Sequence, residues 1–220
     1  MVLVEMLDAF GGPNIATASG EQWKKHRKVI NTSLNERTNA VVWSESASLG
    51  DQMARHWASK KHFTSVGEDV RTFALNILCK ASFGQSYAFH GHNDSEDMAP
   101  SSSASFRLSL LIVMENALII LALGRRFFTH PWLPLPKTGK ILGEACNTFQ
   151  HYMESLYKEK RQLLNENKLV GDSTLIASLA RAANNMKEGA SFTESEIYGT
   201  IFVVSFAGHD TTAHLATFAM

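Results

Sequence analysis

The pattern of hydrophobic and polar positions predicts helices along almost the whole chain. Residues 140–165 carry one apolar stripe at helical spacing, with charged residues on the opposite face. A second stripe with this spacing runs through residues 66–81, after the helix-start signal Ser65-x-x-Glu68. No segment alternates with period two, so we expect an all-α chain. Further helices are expected at residues 19–30, 37–59 and 173–183.

Two stretches interrupt this helical pattern and enclose the most apolar run. Residues 84–105 are rich in Gly, Asn, Asp and Ser and predict a loop, and residues 129–139 contain three prolines and predict a rigid turn. The run at 108–123 is shorter than the roughly 20 residues that span a bilayer, and it contains Glu115 and Asn116. We therefore expect one buried or membrane-surface helix there. Its flanking arginines would reach lipid headgroups: Arg107, Arg125 and Arg126.

The last predicted helix begins at a capping box and has no stop signal. Thr193-x-x-Glu196 has the capping-box spacing, and residues 197–206 after it are almost wholly apolar. No C-cap glycine, basic last turn or proline follows, so we expect this helix and the protein to continue beyond Met220.

Composition excludes several classes of function. The 220 residues include 21 basic and 21 acidic side chains, so no global positive field recruits nucleic acid. The two cysteines, Cys79 and Cys146, have neither disulfide-framework nor zinc-site spacing, which indicates a reducing compartment. No signal peptide is expected at the first residues.

A polar group interrupts the apolar last helix. Gly208 leaves room for a flat ligand, and Asp210 and Thr211 follow directly. A helical threonine can bond to the carbonyl one turn earlier and bend the helix, so acid beside alcohol predicts a proton relay. Equally, Asp210 could pair with His214 while Gly208 merely permits close helix packing. The residues alone leave both interpretations open.

A basic helix near the start carries a second candidate site. Trp23 and Arg27 are four residues apart, and His26 lies on nearly the same side. An indole N–H, an imidazole and a guanidinium on one face would bind a carboxylate. The alternative is a solvated basic helix with Trp23 tucked into the core.

Two motifs stand in order along the chain: Trp23-x-x-x-Arg27 and Ala207-Gly208-x-Asp210-Thr211-Thr212. Together they resemble the cytochrome P450 haem-thiolate monooxygenases, particularly fungal microsomal members. The resemblance covers residues 1–220 as one partial domain, from the C helix to the I helix of that mainly α-helical fold.

The resemblance implies a haem site. It assigns Trp23, His26 and Arg27 to a haem propionate, Ala207 and Gly208 to the distal haem face, and Asp210 and Thr211 to proton delivery during dioxygen activation. It implies insertion of one oxygen atom of dioxygen into a lipophilic substrate, with NADPH electrons supplied by cytochrome P450 reductase. It also implies the cytosolic face of the endoplasmic reticulum membrane, with residues 108–123 near the substrate entrance and the membrane surface.

The family's cysteine ligand lies in a Phe-x-x-Gly-x-x-x-Cys-x-Gly loop after the I helix, and neither Cys79 nor Cys146 has that setting. We therefore expect residues 1–220 to lack the axial ligand and the C-terminal haem-thiolate region, and not to be catalytically competent alone. The string Glu68-x-x-Arg71 precedes the I helix and is interpreted as chance on an exposed helix face.

Two other functions compete with this one. A truncated, non-catalytic helical product or pseudoenzyme would have a binding role and would expose apolar faces. A metal-dependent hydrolase is disfavoured because His209 and His214, five residues apart, point about 140° apart around a helix.

Overall fold

A computed structural model describes residues 10–61, 66–92, 102–130, 132–185 and 192–220. The described residues form helices and contain no strand, which confirms the predicted all-α class. The helices are α1 (Gly20–Ser33), α2 (Glu36–Ser59), α3 (Val66–Phe83), α4 (Ser102–Glu115), α5 (Ala117–Leu123), α6 (Arg125–Thr129), α7 (Lys137–Asn165), α8 (Leu175–Asn185) and α9 (Glu194–Ala219).

The prediction of a single helix over residues 108–123 is wrong. The helix breaks at Asn116, and α5 turns away from α4 by 67°. The Asn116 side-chain amide donates to the Ile112 carbonyl at 2.8 Å, so it competes with the backbone for an α4 acceptor. Among the described helices none is by itself long and apolar enough to span a bilayer, and only this bent pair taken together meets that length and hydropathy.

Capping hydrogen bonds form at some of the helix starts that the sequence predicts and not at others. The Thr193 side chain accepts from the Glu196 N–H and the Glu196 side chain accepts from the Thr193 N–H, which confirms the capping box of α9. Ser19 precedes α1, but its side chain makes no capping hydrogen bond. At the next helix, the Asn35 side chain caps α2 by accepting hydrogen bonds from two backbone N–H groups. The predicted start at Ser65 lies outside the described residues.

Loops lie close to their predicted positions. Residues 84–92 are non-helical, and α4 begins at 102, inside the predicted loop, while residues 93–101 lie outside the described part of the chain. The predicted helix at 173–183 is α8, which runs from Leu175 to Asn185. Pro131, in the predicted rigid turn, also lies outside the described residues.

The core is built around aromatic rings from α4, α7 and α9. Phe10 lies 5.3 Å from Phe149 and 4.6 Å from Phe202 between ring centroids, and Phe106 stacks on Tyr152 at 3.9 Å. These contacts bury the first half of α9 among α3, α4, α7 and α8. The side chains of Phe106, Leu110 and Phe202 are fully buried in this core.

The segment before α1 is fixed against the start of α9 by a close backbone approach. The Gly12 N–H donates to the Ser195 carbonyl at 3.0 Å. A Cβ added to Gly199 would lie only 2.5 Å from the Gly12 carbonyl oxygen, so this contact requires glycine. The approach holds the chain that leads into α1 directly against α9.

Candidate functional site

Helix α1 is joined to the first turn of α9 by a buried ion pair. The Lys25 Nζ lies 2.9 Å from Glu196 Oε1 and 3.1 Å from Oε2, and Gln22 adds a longer contact to the same carboxylate at 3.4 Å. Glu196 is only 5% exposed. The residue that caps α9 is therefore also the residue that holds α1.

These contacts determine the ionisation of Glu196. Burial alone would raise the pKa of the carboxyl, but the hydrogen bonds donated by the Thr193 backbone and by Lys25 outweigh it. The resulting pKa is about 2, well below the ordinary value of 4.5. Glu196 is therefore a fixed carboxylate at neutral pH.

His26 lies in the core beneath α1 and not on the surface that carries Trp23 and Arg27. Its ring is fully buried, 3.2 Å from the Thr200 hydroxyl through Nδ1 and edge-on to Phe192. Burial lowers the pKa of His26, although Glu196 opposes the shift. The predicted convergence of three donors on one face is thus corrected to two, since His26 belongs to the buried stripe of α1.

Trp23 and Arg27 lie together on the outer face of α1. The Arg27 guanidinium carbon is 5.0 Å from the Trp23 ring centroid, and Trp23 is 36% exposed. The indole is therefore not tucked into the core, as the solvated-helix alternative required. An exposed, stacked guanidinium and indole present two kinds of N–H donor to one ligand.

The second half of α9 exposes the predicted distal face. Ala207, Gly208 and Thr211 are all exposed, although the first half of the helix is buried. The Thr211 hydroxyl donates to the Ala207 carbonyl at 2.6 Å, as expected for a helical threonine, and the segment remains α-helical throughout. A Cβ on Gly208 would make only ordinary contact with Leu78, at 3.5 Å. Helix packing therefore does not require glycine here, in contrast to the close-packing alternative.

Asp210 lies beside His214, as expected from the alternative to the proton relay. The His214 Nδ1 lies 3.3 Å from Asp210 Oδ1, and its Nε2 lies 3.3 Å from Arg71 Nη2 on α3. Arg71 was interpreted as part of a chance string on an exposed face, yet its side chain reaches α9. His209 points elsewhere: it is buried, and its Nε2 contacts the Arg71 carbonyl at 3.3 Å.

The two candidate sites, Trp23 with Arg27 and residues 207–211, are both supported by α9. Thr200, which contacts His26, precedes Gly208 by eight residues, about 12 Å along the axis of α9. Sequence reasoning missed Lys25, Thr200 and Arg71 as parts of this support. Lys25 and Arg71 were visible only as charges and Thr200 only as a polar residue in an apolar helix, because their partners lie far away in the sequence.

Neither cysteine has the setting of an iron ligand. Cys79 and Cys146 are free thiols buried inside the helical core, and burial raises the pKa of each to about 12. A ligand must be the thiolate, which these environments disfavour. Within the described ranges no three His, Cys, Asp or Glu side chains are arranged to hold a metal ion.

Comparison with known proteins identifies similar sequences across nearly the whole chain. The sequence model of the cytochrome P450 family matches residues 2–220. A phomenoic acid biosynthesis cluster cytochrome P450 monooxygenase of Leptosphaeria maculans is 25% identical over 99% of this chain and 39% of its own length. Cytochrome P450 monooxygenase 124 of Postia placenta is 25% identical over 95% of this chain and 40% of its own length.

A bacterial relative carries a second activity in the same polypeptide. The bifunctional cytochrome P450/NADPH–P450 reductase of Bacillus cereus is 22% identical over 96% of this chain and 19% of its own length. The chain thus spans about two fifths of the length of the two fungal relatives and less of this fusion protein.

Proposed function

Because the chain belongs to the cytochrome P450 family, we propose that it forms part of a haem-dependent monooxygenase. The reaction inserts one oxygen atom of dioxygen into a lipophilic organic substrate. The observation that carries this proposal is the exposed face of α9, where Ala207, Gly208 and Thr211 lie side by side and the packing against α3 does not require the glycine.

The residues present fit a haem in two respects. The missing side chain at Gly208 leaves a flat strip on α9 against which a planar ring can lie. The exposed Arg27 and Trp23 supply a charged fork and an indole N–H, the donors that suit a propionate carboxylate. Arg27 and Trp23 would hold the propionate, and Ala207 and Gly208 would border the ring.

When bound, haem supplies the oxidative chemistry, and the side chains of this chain supply binding, orientation and protons. The Thr211 hydroxyl donates a hydrogen bond to the Ala207 carbonyl, so its oxygen lone pairs can accept hydrogen bonds on the exposed face of α9. Asp210, one residue earlier and half-exposed, would replenish protons from solvent.

His26 has an indirect part in this proposal. Its buried contact with Thr200, beside the Lys25–Glu196 pair, fixes how α1 sits on α9. It therefore orients the outer face of α1, and contact with the propionate is assigned to Trp23 and Arg27. Cys79 and Cys146 have no part in iron ligation, because both are buried neutral thiols.

The electron source, location and substrate class follow from the family. We assign the electrons to NADPH through a cytochrome P450 reductase, supported by the relative in which both activities share one chain. We assign the protein to the cytosolic face of the endoplasmic reticulum. The exposed apolar side chains of α5, including Leu118, Ile119 and Leu123, support contact with a membrane surface and a lipophilic substrate.

The test is a haemin titration of the purified chain, followed by the absorbance of the bound porphyrin. We expect saturation at one haem per chain, and about tenfold weaker binding for Arg27→Ala, since a lost charge-assisted bond of about 1.4 kcal/mol changes the affinity tenfold. Lys24→Ala is the matched control, because Lys24 is exposed on the same helix and pairs with Glu21. Unsaturable binding, or equal effects of both substitutions, would reject the haem contacts proposed for this chain and favour the non-catalytic helical product.

A further inference from the structure

Two side chains lead away from Asp210: His214 on the same helix contacts it, and Arg71 on α3 contacts His214. The Nδ1 of His214 lies 2.8 Å from the Asp210 backbone oxygen and 3.3 Å from Oδ1. The opposite ring nitrogen of His214 lies 3.3 Å from the Arg71 guanidinium. The imidazole is therefore held between an acceptor pair on its own helix and a cation on α3.

The chemistry of these groups fixes which nitrogen of His214 carries the proton. A guanidinium can only donate, so His214 Nε2 must offer its lone pair to Arg71. A neutral imidazole has one N–H, which must then be at Nδ1, where it donates to the Asp210 backbone carbonyl at 2.8 Å. Protonation of Nε2 would bring two donors and two positive charges together and would break the contact with Arg71.

The same argument gives the opposite tautomer for His209. Its Nε2 contacts the Arg71 backbone carbonyl at 3.3 Å, and a carbonyl can only accept, so this nitrogen carries the proton. Burial lowers the pKa of His209, which keeps the ring neutral. Arg71 thus contacts α9 twice, through its side chain at His214 and through its backbone at His209.

From this geometry we propose that Arg71 locks His214 in the Nδ1–H tautomer, and that His214 is the positioning residue for Asp210. The Nδ1–H donates to the Asp210 backbone carbonyl, and with Oδ1 3.3 Å from the same nitrogen the carboxylate lies beside the imidazole, in the turn that also contains Thr211. This inference rests on the proposed function, in which Asp210 supplies protons. It adds that the acid is oriented by residues outside the family motif.

The charges around Arg71 support this role. Glu68, one turn earlier on α3, and Glu115, at the end of α4, interact electrostatically at this position, and the Arg71 cation opposes the rise that burial causes in the pKa of Glu115. The Arg71 guanidinium therefore interacts with Glu115 as well as with His214. Because Arg71 occupies Nε2, His214 orients Asp210 and does not carry protons to it.

The test measures tautomers in the haem-free chain by long-range ¹H–¹⁵N correlation of the histidine rings, above the usual histidine pKa. We expect Nδ1–H at His214 and Nε2–H at His209. Arg71→Met removes the donor and should convert His214 to a mixture of tautomers, while Arg55→Met, which removes an exposed arginine from α2, should leave both rings unchanged. Nε2–H at His214 in the unmodified chain would overturn the proposal, whether or not the variants fold.

A second measurement tests positioning through the Asp210 side chain. The Hα–Hβ couplings of Asp210 should report one rotamer in the unmodified chain and rotamer averaging in His214→Leu. His214→Gln, which retains an N–H donor, should restore part of the single-rotamer population. Equal averaging in both variants would reject the positioning role. Because neither measurement uses haem, their failure is separable from failure of the haemin titration.

Discussion

The Lys25 ammonium and the Glu196 carboxylate, 171 residues apart in sequence, lie 2.9 Å apart and join α1 to α9. Glu196 uses its other contacts to cap α9. One carboxylate thus fixes both the start of α9 and the placement of the helix that carries Trp23 and Arg27. Substitution of either residue therefore tests how α9 supports the helix that carries Trp23 and Arg27.

We predict that Glu196→Gln lowers the free energy of unfolding by about 3 kcal/mol, because it removes the buried carboxylate that pairs with the partly buried Lys25 ammonium. Urea denaturation followed by circular dichroism measures the change. Lys24→Met is the control: its partner Glu21 is 87% exposed, and exposed pairs contribute at most about 1 kcal/mol. Equal losses in the two variants would contradict a structural role for the buried pair.

Acid should weaken the same junction in a defined range of pH. The pKa of Glu196 is about 2 in the folded chain against an ordinary value of 4.5, so its contribution is complete above the unfolded value and is lost as the pH falls toward the folded one. We expect the unmodified chain to lose stability between these limits. In Glu196→Gln the slope across this range should be smaller, and an unchanged slope would refute the assignment.

A separate pH dependence should begin at higher pH. Burial lowers the pKa of both His26 and His209 from 6.5, so the unfolded chain binds more protons below that value and stability falls as the pH decreases. His209→Gln keeps a donor for the Arg71 carbonyl but does not titrate, and it should flatten the decline. His151→Gln, on the exposed face of α7, is the control and should leave the decline unchanged.

The two glycines of α9 should respond oppositely to alanine. Gly199→Ala places a Cβ 2.5 Å from the Gly12 carbonyl oxygen, a backbone atom, and should destabilise the chain by about 1–3 kcal/mol. Gly208→Ala meets only Leu78 at 3.5 Å and should leave the chain equally stable or stabilise it by about 1 kcal/mol through helix propensity.

The haemin titration then tests whether Gly208 contacts a ligand, which the stability measurement does not show. If Gly208 borders the ring, the added methyl group in Gly208→Ala should weaken haemin binding although the fold is intact. Undiminished binding in this variant would remove Gly208 from the proposed contact surface. A loss of stability comparable to that of Gly199→Ala would show instead that Gly208 serves packing.

Features set by local spacing were predictable from sequence. The Thr193–Glu196 capping box needs residues only three apart, and it forms as expected. The burial of His26 was also readable, because His26, Val29, Ile30 and Ser33 share one helical face and all four are buried. The proximity of His26 to Trp23 in sequence obscured this, since adjacent positions such as His26 and Arg27 diverge by about 100° around the helix.

Features set by distant partners were not predictable. The polar pair Glu115-Asn116 marks the position of the bend in the apolar run, but the pattern does not give its angle of 67°. Arg71 lies 143 residues from His214, and nothing in the pattern around either residue pairs them. The adjacency of Trp23 and Arg27 on one face of α1 was therefore predictable from their spacing, but the support of the candidate site from α3 and α1 was not.

Helix α9 carries the Lys25–Glu196 junction in its first turn and the proposed haem-facing residues in its second half, where Arg71 of α3 also contacts it. Thr211 lies fifteen residues beyond Glu196, about 22 Å along the axis. A tilt of only about 3° at the anchored end would move Thr211 by about 1 Å, a displacement that can cost a reaction about a hundredfold in rate. Substitutions at the Lys25–Glu196 junction would therefore displace Thr211 only as far as the contacts of Arg71 with His209 and His214 allow.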